Sequence, residues 1–390
     1  MARKVAIVGA GMAPAAKSRV PSWELFVDPA LTAIREAGLD PSRIQALHLG
    51  NVYSAFTENQ TNIAPLALSS IGIRNNIPSA RYETACASGG VAFRQGYLGI
   101  LSGMYDVVLV GGTERLRAIP GTAVQQAMAT SMDLSERNAG LTFAVYWAYV
   151  AKAYARKHGL SEARLQELLA HITVKNHYHG AANRIAQFQK ETTVEEVLNS
   201  PVAASPIKIM DCCPFSDGAA ALVLASEEVA RRCPKPIWVA GSGQASGPFT
   251  VADRADLSSS PALAAAAKEA FRQAGIGPGD VDVAEVHDCV NIHEVMCLEG
   301  LGFFKEGEGI HSAAEKRTYF DGEIPVNVSG GLKSRGHPVG ATGAYQLCEI
   351  TQMLRGDFQG RSVKNPATGL SVCVGGTGTA VVVTILRRED

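Results

Sequence analysis

Cys86 lies in Glu83-Thr84-Ala85-Cys86-Ala87-Ser88-Gly89-Gly90, after a polar turn and before an apolar stretch that reads as a helix to about Leu101. A thiol at a helix N-terminus meets the positive end of the helix dipole, which lowers its pKa from about 8.5. The thiolate is the nucleophile, and small neighbours let a substrate come close to it. The plain alternative is an inert cysteine buried in a strand-to-helix turn.

His337 sits in Gly330-Gly331-Leu332-Lys333-Ser334-Arg335-Gly336-His337-Pro338-Val339-Gly340-Ala341-Thr342-Gly343, five glycines in fourteen residues. Such a loop can pass close to a ligand, and Pro338 stiffens the turn after the histidine. A neutral imidazole there can take a thiol proton and later donate a hydrogen bond to an acyl oxygen. A lone histidine in a loop is otherwise a solvated residue. Cys373-Val374-Gly375-Gly376 ends a strand, where a second thiol can exchange a proton with a substrate carbon and glycine N–H groups can face an oxyanion. The alternative is a small core residue at a strand end. His287-Asp288-Cys289-Val290 follows an expected strand from Val281 to Val286, at the end where α/β proteins place ligands.

Other signals carry less. Gly9-Ala10-Gly11-Met12-Ala13-Pro14 begins like a dinucleotide fingerprint, but proline stands where the third glycine belongs. His177 and His179 flank Tyr178, and Cys212 and Cys213 are adjacent, yet neither pair has a zinc-ligand spacing, so no metal site is expected. Lys175, His177 and Arg184 are candidate phosphate contacts, with a solvated face as the competing reading.

The elements that must position these groups alternate between β-branched runs and Ala-rich helical stretches, an α/β pattern. Two echoes divide the chain. Ala33-Ile34-Arg35-Glu36-Ala37-Gly38-Leu39-Asp40-Pro41 returns as Ala270-Phe271-Arg272-Gln273-Ala274-Gly275-Ile276-Gly277-Pro278, a helix ending at glycine with proline soon after. Val107-Val108-Leu109-Val110-Gly111-Gly112-Thr113 returns as Val372-Cys373-Val374-Gly375-Gly376-Thr377, each after a helix that ends near Leu101-Ser102-Gly103 or Leu354-Arg355-Gly356. Two echoes in the same order imply two similar halves. The halves are expected at 1–113 with 206–228 and at 229–390, with 114–205 inserted as a lid or binding domain.

The chain has 390 residues, 36 Lys+Arg against 37 Asp+Glu and a net charge of -1, a balance that gives no footprint for nucleic acid or anionic membrane. No stretch approaches the roughly 20 apolar residues of a membrane span. Met1-Ala2-Arg3-Lys4-Val5-Ala6-Ile7-Val8 reads as a first strand, not as a signal peptide. Eight cysteines without a Cys-x-x-Cys pair fit free thiols in a cytoplasmic protein.

With these segments assembled, the chain resembles the thiolase superfamily (acetyl-CoA acyltransferase-like) along essentially its whole length. Gly336-His337-Pro338-Val339-Gly340-Ala341-Thr342-Gly343 matches the family's histidine loop, Cys86 before Ala-Ser-Gly-Gly its nucleophile segment, and Cys373-Val374-Gly375 its Cys-x-Gly motif. Ser216-Asp217-Gly218-Ala219-Ala220-Ala221 matches the segment that resumes the first half. The resemblance implies the thiolase fold: two similar halves, each with a mixed five-stranded sheet, helices layered between them, and an inserted loop domain that grips coenzyme A. It also implies cleavage of a 3-oxoacyl-CoA by coenzyme A, or the reverse Claisen condensation. Coenzyme A would be a co-substrate, with no cofactor permanently bound. Cys86 would carry the acyl group, His337 would activate it, and the N–H groups of Cys86 and Gly375 would hold the thioester oxyanion.

Most degradative thiolases have Asn-Glu-x-Phe where this chain has His287-Asp288-Cys289-Val290, a form that resembles the sterol-carrier-protein and archaeal types. In some of those the cysteine of this motif is the acid/base, so Cys289 and Cys373 both stand as candidates, with Cys373 preferred and with His287 and His337 on the enolate oxygen. The resemblance further implies a homodimer or dimer of dimers, and in this subgroup a small zinc-ribbon/OB-fold partner. Bulky, branched or aromatic acyl groups, 2-benzoylsuccinyl-CoA among them, occur in the subgroup. The competing readings are a ketosynthase-like condensing enzyme, against which the Cys-x-Gly cysteine counts, and a non-catalytic acyl-binding or scaffold subunit, which would need none of the three groups.

Overall fold

The computed structural model describes residues 3–73 and 76–389; Met1 and Ala2, at the start of the expected first strand, lie outside the described residues. The strands are β1 (Val5–Met12), β2 (Leu47–Gly50), β3 (Ser79–Tyr82), β4 (Val107–Arg115), β5 (Val202–Ala204), β6 (Ile207–Lys208), β7 (Asp217–Ser226), β8 (Ile237–Ser246), β9 (Val283–Glu285), β10 (Thr368–Gly375) and β11 (Ala380–Arg388). Apart from the small β5–β6 hairpin, they form one sheet in the order β3-β2-β4-β7-β1-β8-β11-β10-β9.

The two echoes of the sequence are two equivalent places in this sheet. Outward from its centre, β1-β7-β4-β2 mirrors β8-β11-β10-β9, with antiparallel inner pairs and a parallel outer pair on each side. The repeated glycines Gly38 and Gly275 both adopt a left-handed φ, 65° and 66°, just past their helices. Two features differ from the expected pair of five-stranded sheets. β1 joins β8 through Ala6↔Trp238 and Ile7↔Ile237, so the halves share one nine-stranded sheet. The fifth strand of the second half is reduced to a single bridge, Ala284↔Val326, because the chain there turns at once into the histidine loop.

The glycines that resembled half a dinucleotide fingerprint have a packing role. A Cβ on Gly9 or Gly11 of β1 would fall 1.9 or 2.1 Å from the carbonyl oxygens of Ala33 and Pro29. The helix Val27–Glu36 therefore lies directly on the strand. Gly241 and Gly243 of β8 do the same for the helix Pro261–Ala274, with 2.3 and 2.0 Å to Ala270 and Ala266 oxygens. Overpacking at such contacts costs about 1–3 kcal/mol.

On the other face lie two central helices, Ser88–Leu101 and Thr342–Arg355. Phe93, Tyr97 and Ile100 of the first and Ala344, Leu347 and Ile350 of the second share one apolar core with β1, β4 and β7. The helices touch backbone to backbone, since a Cβ on Gly343 would sit 2.4 Å from the Gly90 nitrogen. Their N-termini thus start side by side.

Between β4 and β7 the chain carries the helices Gly121–Ala129, Leu134–Asn138, Phe143–Lys157, Glu162–Gly180 and Val194–Leu198. Trp147, Tyr154 and Leu168 of this segment share a core with Ile292, Val295 and Met296 of the second half. Among the described residues no helix is long and apolar enough to cross a membrane.

Candidate active site

Cys86 stands two residues before the first central helix, after a turn in which Ala85 takes a left-handed φ of 50°. That backbone is rare for a residue with a Cβ. Three hydrogen bonds hold it: the Thr84 N–H donates to Ser88 Oγ (2.9 Å), the Ser88 hydroxyl donates to the Ala85 carbonyl (2.6 Å), and the Ala85 N–H donates to Glu83 Oε1 (2.7 Å). From the other half, a Cβ on Gly375 would lie 2.0 Å from the Thr84 oxygen, so the end of β10 closes onto this turn. The Gly376 N–H faces the Cys86 sulfur.

The sequence predicts a thiol made acidic by the helix; burial reverses this. Cys86 packs with Val52, Tyr53 and Val339, and desolvation, followed by the neighbouring Cys373, pushes its pKa well above the usual thiol range. Loss of hydration outweighs a dipole worth at most about 2 kcal/mol.

His337 is buried, as is the whole segment 324–351 around it, which excludes a solvated loop histidine. Its N–H donates to Ser216 Oγ (2.8 Å), and its Nδ1 is 2.7 Å from Thr342 Oγ1. The Thr342 hydroxyl donates to the Pro338 carbonyl at 3.2 Å, so Oγ1 accepts from Nδ1–H. That tautomer leaves a lone pair on Nε2, which is buried without a protein partner. Burial and then Arg335 push the imidazole pKa down to about 3. Arg335 is buried behind it, paired with Glu349 at 3.0 Å and stacked on Tyr345.

His287 has the opposite tautomer. The Val374 N–H donates to its Nδ1 at 3.3 Å, so its proton lies on Nε2. The two imidazoles stand edge to face, 5.2 Å apart at 85°, and the Cys86 sulfur and one nitrogen of each ring lie within 4.8 Å of one another. One ring thus offers a lone pair and the other a proton. With its second nitrogen already accepting from Val374, His287 has no lone pair free for a metal ion.

Of the candidate acid/base cysteines, Cys373 is buried with its sulfur 3.1 Å from the Cys86 carbonyl, and burial pushes its thiol up to about 12. Cys289 lies 3.5 Å from His293 Nδ1, and the His293 ring packs tilted against Trp147 of the inserted segment. The structure places the candidate phosphate contacts differently from one another. Lys175 is a correction: fully buried, it pairs with Glu294 (2.6 Å) and donates to the Val326 carbonyl (3.2 Å), so it does not reach a solvent-borne phosphate. The pair offsets the several kcal/mol that burying an unpaired ammonium would cost. His177 is half-buried, bonded through Nδ1 to the Lys190 carbonyl and stacked on Phe188, while the Arg184 side chain is exposed.

Two carboxylates that sequence reasoning missed hold the site together. Glu114, buried at the end of β4, accepts from the backbone N–H groups of Val52 (3.0 Å), Tyr53 (3.1 Å) and Gly340 (3.2 Å) and from Asn51 Nδ2 (3.2 Å). It ties the histidine loop to the loop after β2. Asp288 accepts from the N–H groups of Leu332 (2.7 Å) and Lys333 (3.2 Å) and from Asn176 Nδ2 (2.8 Å), which ties the same loop to the inserted segment. The available signal for Glu114 was an acidic residue closing the otherwise apolar run of β4.

A mixed sheet with two central helices carries a buried thiol, two imidazoles of opposite tautomer and a second thiol at their N-termini, groups of the kind acyl transfer uses. Comparison with known proteins agrees. The family model for the thiolase N-terminal domain matches residues 5–228, and that for a thiolase C-terminal domain-like unit matches residues 243–388. An acetyl-CoA acetyltransferase of Methanothermobacter thermautotrophicus is 38% identical over 367 residues, covering 94% of each chain. The benzoylsuccinyl-CoA thiolase subunit BbsB of Thauera aromatica is 33% identical, covering 96% of this chain and 95% of its own. Sterol carrier protein 2 of Gallus gallus is 32% identical over 99% of this chain and 72% of its own. Among solved structures, an Ltp2-ChsH2(DUF35) aldolase has the same fold, with a TM-score of 0.83 at 24% identity over 99% of this chain and 98% of the other. The chain belongs to the thiolase superfamily, in the group of the archaeal and sterol-carrier-protein enzymes, and is an acetyl-CoA acyltransferase-type enzyme.

Proposed function

We propose that the protein cleaves a 3-oxoacyl-CoA with coenzyme A, or runs the reverse condensation, through an acyl group carried on Cys86. The observation that carries this reading is the unpartnered Nε2 lone pair of His337 beside a buried thiol. The Cys86 proton passes to that nitrogen as the sulfur attacks the 3-oxo carbon. The C2–C3 bond then breaks, its electron pair forms the enolate of acetyl-CoA, and the Cys373 thiol protonates C2. In this reading the Nε2–H of His287 and the protonated His337 hold the enolate oxygen, and the backbone N–H groups of Cys86 and Gly375 hold the thioester oxygen. In the second half-reaction coenzyme A gives its proton to the Cys373 thiolate and attacks the acyl carbon. Cys86 leaves and regains its proton from His337, so every proton returns to its starting place.

A homodimer or dimer of dimers is proposed on the strength of β3, which among the described residues has a sheet neighbour on one side only. A small zinc-ribbon/OB-fold subunit is proposed as well, because a structural neighbour is named Ltp2-ChsH2(DUF35) aldolase and a relative is named as a thiolase subunit. Two imidazoles beside the thiol would also serve decarboxylative condensation, but such an enzyme has no use for Cys373. The test is to incubate the protein, as recovered with whatever subunit co-purifies, with acetyl-CoA and a panel of 3-oxoacyl-CoAs, then quench in acid and map adducts by mass spectrometry. An acyl group on Cys86 is expected. Its absence in the full complex with every compound would remove the covalent mechanism, and decarboxylation of a malonyl thioester without thiolysis would install the ketosynthase reading.

A further inference from the structure

Behind the Cys86 turn lies a cavity of about 610 Å³. Both halves build it: Thr84 and Ala85 come from the nucleophile turn, and Thr379 and Ala380 follow directly on the Cys373 strand. Pockets of about 300–1,000 Å³ hold drug-sized ligands, so the space far exceeds an acetyl group. Its mouth carries Phe56 and Phe249, which are 58% and 52% exposed and are among the few large apolar side chains left in water. Tyr53 joins the cavity to the chemistry. It packs with Cys86 in one apolar cluster, lines the cavity, and its hydroxyl meets Ser131 Oγ, another lining group, at 2.7 Å.

The charge of the lining decides which end of a substrate belongs there. No lysine, arginine or histidine lines it among the described residues, so it cannot be the place for the phosphates of coenzyme A. The charged side chain in it is the carboxylate of Glu83, one oxygen of which accepts from the Ala85 N–H. A second carboxylate brought in by a ligand would face Glu83 with no cation to offset it.

We infer that this cavity receives the acyl group of the substrate, and that it selects bulky, uncharged acyl groups, aromatic or alicyclic, over those that bear a carboxylate. The inference rests on the 3-oxoacyl-CoA reading above and adds to it the substrate class.

The experiment compares thiolysis of acetoacetyl-CoA, 3-oxo-3-phenylpropionyl-CoA and 3-oxoadipyl-CoA by the wild-type protein, Ser246→Trp and Glu83→Gln. Ser246 is an exposed lining residue with no step of the reaction assigned to it, so an indole there takes up the cavity while acetoacetyl-CoA turnover reports that the fold is intact. The wild type is expected to prefer the phenyl substrate over the adipyl one by at least about tenfold in kcat/KM. Ser246→Trp is expected to lower kcat/KM for the phenyl substrate by about tenfold and to leave acetoacetyl-CoA within about twofold. Glu83→Gln is expected to narrow the gap between the phenyl and adipyl substrates. Equal effects of Ser246→Trp on both neutral substrates, or none on the phenyl one, would overturn the assignment of the cavity while leaving the thiolase reading intact. No acylation of Cys86 by any of the three would instead bring down the reading itself.

Discussion

The sulfur of Cys373 lies 3.1 Å from the carbonyl oxygen of Cys86, although 287 positions separate the two in the chain. Glycines make this approach feasible: an added Cβ would meet the Cys373 side chain at 3.2 Å from Gly90 and at 3.1 Å from Gly343. The two central helices therefore present their N-termini to one thiol from both halves of the molecule.

That position, with burial pushing its pKa up to about 12, keeps Cys373 protonated and suits it to deliver a proton to carbon. Cys373→Ala is expected to slow exchange of the acetyl-CoA methyl protons with deuterium oxide by about 100-fold or more, while Cys289→Ala stays within about threefold. Proton NMR of acetyl-CoA incubated with each variant measures this. The reverse order would transfer the role to Cys289.

The resting pair of Cys86 and His337 is neutral, because burial drives the thiol up and the imidazole down to about 3. Thiolate absorbance near 240 nm is expected to be the same in the wild type and in Cys86→Ser from pH 5 to pH 8. A step near pH 6 lost in Cys86→Ser would instead demonstrate a thiolate–imidazolium pair.

Glu114 carries a pKa raised to about 7, chiefly by burial. A carboxyl whose folded pKa is raised favours the fold when protonated, so its contribution is complete below about 4.5 and is lost as pH rises through 7. Glu114→Gln keeps the shape but not the charge. Its loss of stability relative to the wild type should be greatest near pH 5 and smaller by up to about 3 kcal/mol at pH 8. Urea unfolding at the two pH values reads this, and the same variant should lower kcat, since Gly340 of the histidine loop loses a charged acceptor.

His179 has the opposite sign. The Phe320 N–H donates to its Nε2 (3.1 Å), its Nδ1 bonds the Asn327 carbonyl (3.0 Å), and burial pushes its pKa down to about 3. No acceptor is left for a second proton. Stability from a depressed pKa is present above about 6.5 and is lost as pH falls, by about 2 kcal/mol between pH 6.5 and 5. The stability advantage of wild type over His179→Gln should shrink by about that amount between pH 7.5 and 5. A difference that does not change with pH would show that His179 protonates freely in the fold.

Cys86, His337 and Cys373 could be picked out before any fold was known, because each sits in a short segment whose small residues have a local reason to be there. The division into halves was legible for the same reason: Gly38 and Gly275 mark helix ends by their own backbone freedom, whatever packs nearby. Pro14 ruled out a dinucleotide role for Gly9 and Gly11, but their packing role was not legible, since close approach to a helix leaves no mark beyond the glycines themselves. The joining of β1 to β8 in one sheet left no mark at all, for an edge-to-edge pair needs only free backbone groups.

The residue sequence by itself determined which chemistry the chain can perform, because reactive side chains and the glycines that expose them are properties of single short segments. Tertiary structure alone decided electrostatics and partnership: that burial pushes the Cys86 thiol up, that His337 and His287 carry their protons on opposite nitrogens, that Lys175 is spent on Glu294, and that Glu114 holds the loop. Those outcomes depend on desolvation and on hydrogen bonds between positions hundreds of residues apart, and only packing creates either one.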